Sequence, residues 1–250
     1  MSGHSKWATI KRKKGALDAK RGKVFTKWIK EITVAARNGG GDPAGNPRLR
    51  TAILGAKGVN MPADNIERAI KKGTGELEGV NYEEVAYEGY GPGGIAILIE
   101  SLTDNRNRTT GEIRHILTKS GGRMADAGAV HWMFHAKGVL SVPRGVVDEE
   151  TLLGIVLDAG AEDVDTDDPE SYEITTPPQQ LEAVKAALAA KGITPLTAEL
   201  AKVPQSFISL SDKDAEQALK LMEVLEDHDD VQRVSSNLDI TAEILAKIQQ

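Results

Sequence analysis

Residues 82–103, YEEVAYEGYGPGGIAILIESLT, decide the architecture. Two runs rich in β-branched and aromatic residues, 82–90 and 95–103, flank the cluster GPGG at 91–94, which is the pattern of a β-hairpin. Downstream, a helix is predicted from about Arg106 to Lys119, with Ile113, Ile116 and Leu117 inward. It leads through Gly121 and Gly122 to a strand near 129–135. Residues 138–203 then read strand, helix, strand, strand, helix, strand: Val139–Val142, Glu149–Asp158, Glu162–Thr166, Tyr172–Thr176, Gln179–Ala190 and Thr197–Val203. That order is the split β-α-β, or ferredoxin-like, arrangement. A last segment offers a strand at Phe207–Leu210, a helix at about Asp212–Glu226 and a strand at Val231–Ser235. Two strands and one helix in so short a stretch cannot easily close a core alone. They are therefore expected to return to the sheet begun at residue 80, which makes 138–203 an insertion between 80–137 and 204–240.

Upstream of the hairpin the period changes from two to 3.6. Phe25, Trp28, Ile29, Ile32 and Ala36 recur at helical spacing, and Asn38 followed by three glycines stops the helix. Lys23, Lys27, Lys30 and Arg37 fall on the opposite face, as a basic outer stripe. Two shorter helices open with proline in the first turn, where the missing N–H costs nothing. One runs from Pro47 to about Lys57 with Asn46 as its cap, burying Leu49, Ile53 and Ala56. The other runs from Pro62 to Lys72 with Ile66, Ala69 and Ile70 inward, and Gly73 is expected to end it. The fold class is thus α+β and multidomain, with a basic helical bundle at 22–75 preceded by a basic arm at 1–21.

The charge is divided along the chain. Its 250 residues have a net charge of −6, yet residues 1–75 carry 17 Lys/Arg against 5 Asp/Glu. The remaining 175 residues carry 14 Lys/Arg against 32 Asp/Glu. Such asymmetry suggests that one part meets a polyanion while the rest keeps the molecule soluble. There is no cysteine, which excludes disulfides, thiol nucleophiles and iron–sulfur clusters. No run approaches the ~18 apolar residues of a membrane span, and no signal-peptide core is visible. A cytoplasmic protein with no membrane partner is expected; the oligomeric state is left open, a monomer being sufficient.

Three motifs imitate functional sites. Gly89, Gly91 and Gly94 have the G-x-G-x-x-G spacing, but Pro92 interrupts it and a strand follows where a helix must receive the pyrophosphate, so a turn is the better reading. His131 and His135 lie four apart, but HWMFH reads as a strand with Trp132 and Phe134 on one face, and no metal is expected. The acids at 162–170 fail the calcium-loop pattern at two positions and suit the solvent face of a hairpin. No nucleophile, base or cofactor-binding set is assembled, so neither catalysis nor a cofactor is expected.

Two basic constellations remain. In the arm, Lys6, Trp7, Lys11, Arg12, Lys13, Lys14, Lys20 and Arg21 join an indole to a cationic run. Such an indole can stack on a nucleobase while the cations contact phosphates, or it can fold back to anchor the arm on the bundle. In TDNRNRT at 103–109, Arg106 and Arg108 stand at a helix N-terminus. Backbone N–H groups plus guanidinium groups make an anion site, unless the arginines pair with Glu100 or Glu112. With Lys23, Lys27 and Lys30 of the first helix, these are the candidate nucleic-acid contacts.

GHSKW at 3–7, DAKRGK at 18–23, MPADNIERAIKK at 61–72 and TDNRNRT at 103–109 together resemble the YebC/PmpR family of bacterial proteins, over essentially the whole chain. The resemblance implies a helical N-terminal domain and two α+β domains, the third inserted in the second. It also implies regulation of gene expression without catalysis. Members have been described as DNA-binding transcriptional regulators. Others, with mitochondrial relatives, are described as ribosome-associated factors that help translation through proline-rich stretches. The expected partner is therefore DNA, or ribosomal RNA in the alternative.

Overall fold

The structure is a computed structural model that describes residues 21–240. Three helices form the N-terminal bundle: α1 Arg21–Gly39, α2 Pro47–Gly58 and α3 Ala63–Thr74. Ile32, Ala35 and Ala36 of α1 pack with Leu49, Ala52 and Ala56 of α2 and with Ile66 and Ala69 of α3. Asn46 caps α2, accepting the N–H of Leu49 at 3.0 Å, while its amide donates to the carbonyl of Ala35. One buried side chain thus ends α1 and starts α2. Gly73 does not end α3. The helix runs on to Thr74 and closes at Gly75, which has φ 84°. Gly73 serves packing instead: a Cβ there would lie 2.4 Å from the carbonyl oxygen of Thr33 and 2.7 Å from Cβ of Ala36, so α1 and α3 touch backbone to backbone.

The hairpin forms as the sequence indicates. β1 Glu83–Tyr90 pairs antiparallel with β2 Ala96–Thr103, in register from Tyr90↔Ala96 to Glu83↔Thr103. Gly93 takes φ 65° in the turn, with Leu210 packed against its α-carbon. β3 Arg123–Met124 joins β1, and β8 Val231–Ser236 joins β2, giving the order β3-β1-β2-β8. α4 Arg106–Lys119 and α7 Asp212–Glu226 cover one face through Ile113, Leu117, Leu219 and Met222, packed on Ile97 and Ile99. On the other face Ala96 and Leu98 meet Val130 and Phe134. β2 is therefore apolar almost without interruption because both its faces are covered.

The second sheet has the order β5-β6-β4-β7. Its strands are β4 Phe134–Pro143, β5 Asp163–Asp165, β6 Ser171–Thr176 and β7 Thr197–Pro204, with α5 Glu149–Asp158 and α6 Leu181–Ala190 packed on it. In chain order this is 2-3-1-4, the ferredoxin-like sequence of neighbours. Every strand of this sheet lies between 134 and 204, while the first sheet draws on both sides of that interval.

Three expectations change. The strands expected near 129–135 and at 139–142 are one strand, β4, so the boundary at 137/138 falls inside it. HWMFH is strand only from Phe134: His131–Met133 form a short 3₁₀ turn, and Trp132 faces solvent while Phe134 is buried. Residues 207–210 contribute a single parallel bridge, Ile208↔Leu238, rather than a strand. Ile208 and Leu210 still reach the first sheet's core by their side chains.

Gly73→Ala is expected to lower stability by up to about 2 kcal/mol, because overpacking against backbone, about 1–3 kcal/mol, exceeds the ~1 kcal/mol gain in helix propensity. Urea unfolding followed by helical circular dichroism reads this directly.

Candidate nucleic-acid interface

The bundle meets the first sheet at a cleft of about 770 Å³, lined by Lys23, Lys30, Tyr82, Arg108, Glu112, His228 and Asp230 among others. Its origin is local. α7 ends at Glu226, and its terminal carbonyls lack intrahelical donors. The chain then runs through His228 and Asp229 to Asp230 and enters β8. A register shift between Glu100 and Ser101 marks the pairing with β2, and Leu102 donates its N–H to the carbonyl of Asp230 at 2.8 Å. This lays Asp230 beside Thr103 and the first turn of α4.

Asp230 is 3% exposed, and its carboxylate is fully engaged. It accepts from Lys30 Nζ at 2.5 Å, Thr109 Oγ1 at 2.6 Å, Arg108 Nη2 at 2.7 Å and Thr103 Oγ1 at 3.2 Å. Burial alone would raise its pKa. The bonds from Lys30, Thr109 and Arg108 outweigh it and hold the carboxyl well below the usual range. Lys30 is itself buried, at 6% exposed.

The α1 stripe is consequently not an outer face. Lys23 donates to the carbonyl of Asp227 at 3.0 Å and Lys30 to that of Asp229 at 3.0 Å, while Lys27 donates to the carbonyl of Glu226. Lys27 and Lys23 thus meet the carbonyl end of α7 and its cap, where the helix dipole favours positive charge, and Lys30 meets the loop that follows. Arg37 holds the linker, donating to the carbonyls of Tyr82 and Val80. The lysine at 30 is not available to a phosphate, which corrects its place in an outward stripe: Asp230 and the carbonyl of Asp229 hold it, whereas the side chain of Lys23 stays 47% exposed.

The two arginines of TDNRNRT part company. Asn105 caps α4 by accepting the N–H of Arg108. Arg108 pairs with Asp104 at 2.8 Å and with Asp230, while Glu112 lies 3.9 Å away. The side chain of Arg106 is exposed and makes no hydrogen bond or ion pair among the described residues. Lys57 and Arg68 of the bundle are likewise exposed. Lys6, Trp7, Lys11, Arg12, Lys13, Lys14 and Lys20 lie outside the described residues, and Arg21 opens α1.

One set of metal-ligating types occurs here: Glu112, His228 and Asp230. Its atoms are committed. His228 Nδ1 accepts the N–H of Asp230 at 3.1 Å, which puts the ring proton on Nε2, 2.9 Å from Glu112. With Lys30 and Arg108 on Asp230, a further cation would meet two positive charges. Sequence reasoning missed Asp230, Thr103 and Thr109; the visible signal was the run EDHDD at 226–230, opposite in charge to α1.

Two family profiles cover the chain: the TACO1/YebC N-terminal domain over residues 5–76 and the TACO1/YebC second and third domain over 82–238. The chain belongs to the TACO1/YebC family. A protein of Desulfatibacillum aliphaticivorans is 60% identical over 96% of this chain and 97% of its own length. One of Persephonella marina is 57% identical over 99% and 100%. Both bear the name "Probable transcriptional regulatory protein". The crystal structure of a conserved hypothetical protein from Aquifex aeolicus matches with a TM-score of 0.80 at 49% identity, covering 91% of this chain and 94% of that one. No helix among the described residues of this TACO1/YebC member is long and apolar enough to cross a membrane.

Asp230→Asn should destabilise the protein by about 3–5 kcal/mol, since it leaves Lys30 buried without its counter-charge. Lys30→Met combined with Asp230→Asn should recover part of that loss in a denaturant double-mutant cycle. The sign with pH follows from the lowered carboxyl: its stabilising contribution is complete above about pH 5 and is withdrawn as pH falls below the ordinary aspartate value of about 4. Unfolding midpoints between pH 7 and pH 3 measure it.

Proposed function

We propose that the protein regulates gene expression, without catalysis, by binding nucleic acid through the basic arm at 1–21 and the exposed cations nearest the α4 N-terminus. The names of the relatives support a transcriptional regulatory role, and DNA is the polymer proposed first. The observation that carries nucleic-acid contact is the division of charge: the first 75 residues carry 17 Lys/Arg against 5 Asp/Glu, and among the described residues Arg106, Lys57 and Arg68 keep their side chains exposed. Arg106, beside the first N–H groups of α4, is the described residue best placed to hold a phosphate.

One observation favours the second reading, an RNA- or ribosome-bound translation factor. The cationic helix α1, the natural candidate to enter a major groove, has Lys30 buried and Lys27 and Lys23 bonded to the carbonyls of Glu226 and Asp227. Recognition then falls to phosphate contacts and stacking, which suit structured RNA as well as DNA. In-cell crosslinking with sequencing of both polymers separates the two. Promoter enrichment supports transcriptional control, and ribosomal RNA supports the translation role.

Binding to either polymer should weaken steeply with salt. Six to ten phosphate contacts correspond to roughly a 10³- to 10⁵-fold loss between 50 and 200 mM. Deleting residues 1–20, which leaves α1 whole, should remove most of the affinity; undiminished binding would refute the arm's role. Arg106→Ala should lower the slope of log K against log salt by about 1 with little change in stability. Arg108→Ala should act mainly on stability. Fluorescence anisotropy with labelled duplexes, paired with thermal melts, measures both.

A further inference from the structure

The loop between the two sheets is built more firmly than a connection requires. Glu88 of β1 is 5% exposed, and its carboxylate accepts three backbone N–H groups: Gly128 at 2.7 Å, Val130 at 2.7 Å and His131 at 2.8 Å. Burial would raise its pKa, but these three bonds prevail and hold the carboxyl below its usual value. The carbonyl of the same residue accepts Ala125 N–H at 2.8 Å. Val130 and Phe134 are buried beneath, against Ala96 and Leu98.

This framework displays one side chain. Trp132 is 64% exposed, more than any other exposed large apolar side chain among the described residues. Its Nε1–H donates to the carbonyl of Ala129 at 3.1 Å, which fixes the indole and satisfies its single polar group. What remains for a ligand is the π surface. The exposed neighbours of Trp132 along the chain are small or polar: Asp126, Ala127, Gly128, His131, His135 and Ala136. A protein hot spot needs neighbours that exclude water around it, whereas a stacked base needs one ring and nearby positive charge. A cation is linked to this loop through the cluster beneath it. Tyr90, packed on the same small cluster as Val130, carries the exposed guanidinium of Arg123 at 4.9 Å over its ring.

We propose that Trp132 is a stacking platform for an unpaired nucleobase, with Arg123 contacting the adjoining backbone. The inference rests on the nucleic-acid reading above but concerns a site separate from the arm and from Arg106. It gives the protein a means of preferring single-stranded or looped segments over duplex.

The test titrates the full chain and its Trp132→Ala, Trp132→Leu and Trp132→Phe variants with 12-nucleotide single-stranded RNA, single-stranded DNA and a duplex of the same sequence. Thermal melts confirm that the variants fold. Trp132→Ala and Trp132→Leu should weaken single-strand binding by roughly 5- to 150-fold, Trp132→Phe should retain most of it, and duplex binding should hold steady. The RNA and DNA arms show which polymer supplies the base. Unchanged single-strand affinity in Trp132→Ala, beside intact binding by the unaltered protein, overturns this site and leaves the nucleic-acid reading standing. Equal losses on single strand and duplex, or loss of self-association in sedimentation with unchanged nucleic-acid affinity, also overturn it. Absence of any binding by the unaltered protein removes both.

Discussion

A carboxylate taken out of water costs several kcal/mol unless it is met by positive charge and hydrogen bonds together. Asp230 receives both, and the donors come from three separate parts of the chain: Lys30 of α1, Arg108 and Thr109 of α4, and Thr103 at the end of β2. Among the described ion pairs that join bundle and sheet, the one between Lys30 and Asp230 is the most deeply buried. Its satisfaction requires the β2–β8 register, the Asn105 cap and the docking of α1 at once. The burial of Lys30 makes the requirement mutual, since neither charge is tolerable without the other.

That constraint divides the basic charge into two populations. Lys23, Lys27 and Lys30 act within the molecule, on the carbonyl end of α7 and on Asp230, while Arg37 and Arg48 tie the bundle to the linker and to β1. Among the described residues, exposed cations such as Arg106 stand outside this network. The same division gives part of the acidic remainder a role: Glu226 to Asp230 form the surface on which the cationic helix rests. A lysine stripe and an acidic run some 200 residues apart are therefore one interaction.

Features set by neighbours in sequence were legible. The hairpin, the proline-led start of α2 with its Asn46 cap, and the strand–helix alternation of the second sheet all follow from period, turn residues and caps, and they place their elements to within a few residues. What escaped was decided across the fold. HWMFH has strand-like composition, yet the carboxylate of Glu88, more than 40 residues earlier, holds the adjoining N–H groups and turns the chain. Gly73 looks like a helix end, but it is the contact that lets α3 lie on α1. The period of α1 puts its lysines on one face but does not reveal the acidic run that Lys30 meets, because amphipathicity specifies a face and not what faces it.

The central claim is that α1's lysines serve architecture while the arm and Arg106 serve the ligand. The most direct measurement is the salt slope of nucleic-acid binding for a Lys23→Ala, Lys27→Ala double variant, checked for folding. The account predicts a lower unfolding midpoint with an unchanged slope of log K against log salt. A slope reduced by about 1 for each lysine removed, with unaltered stability, would contradict it.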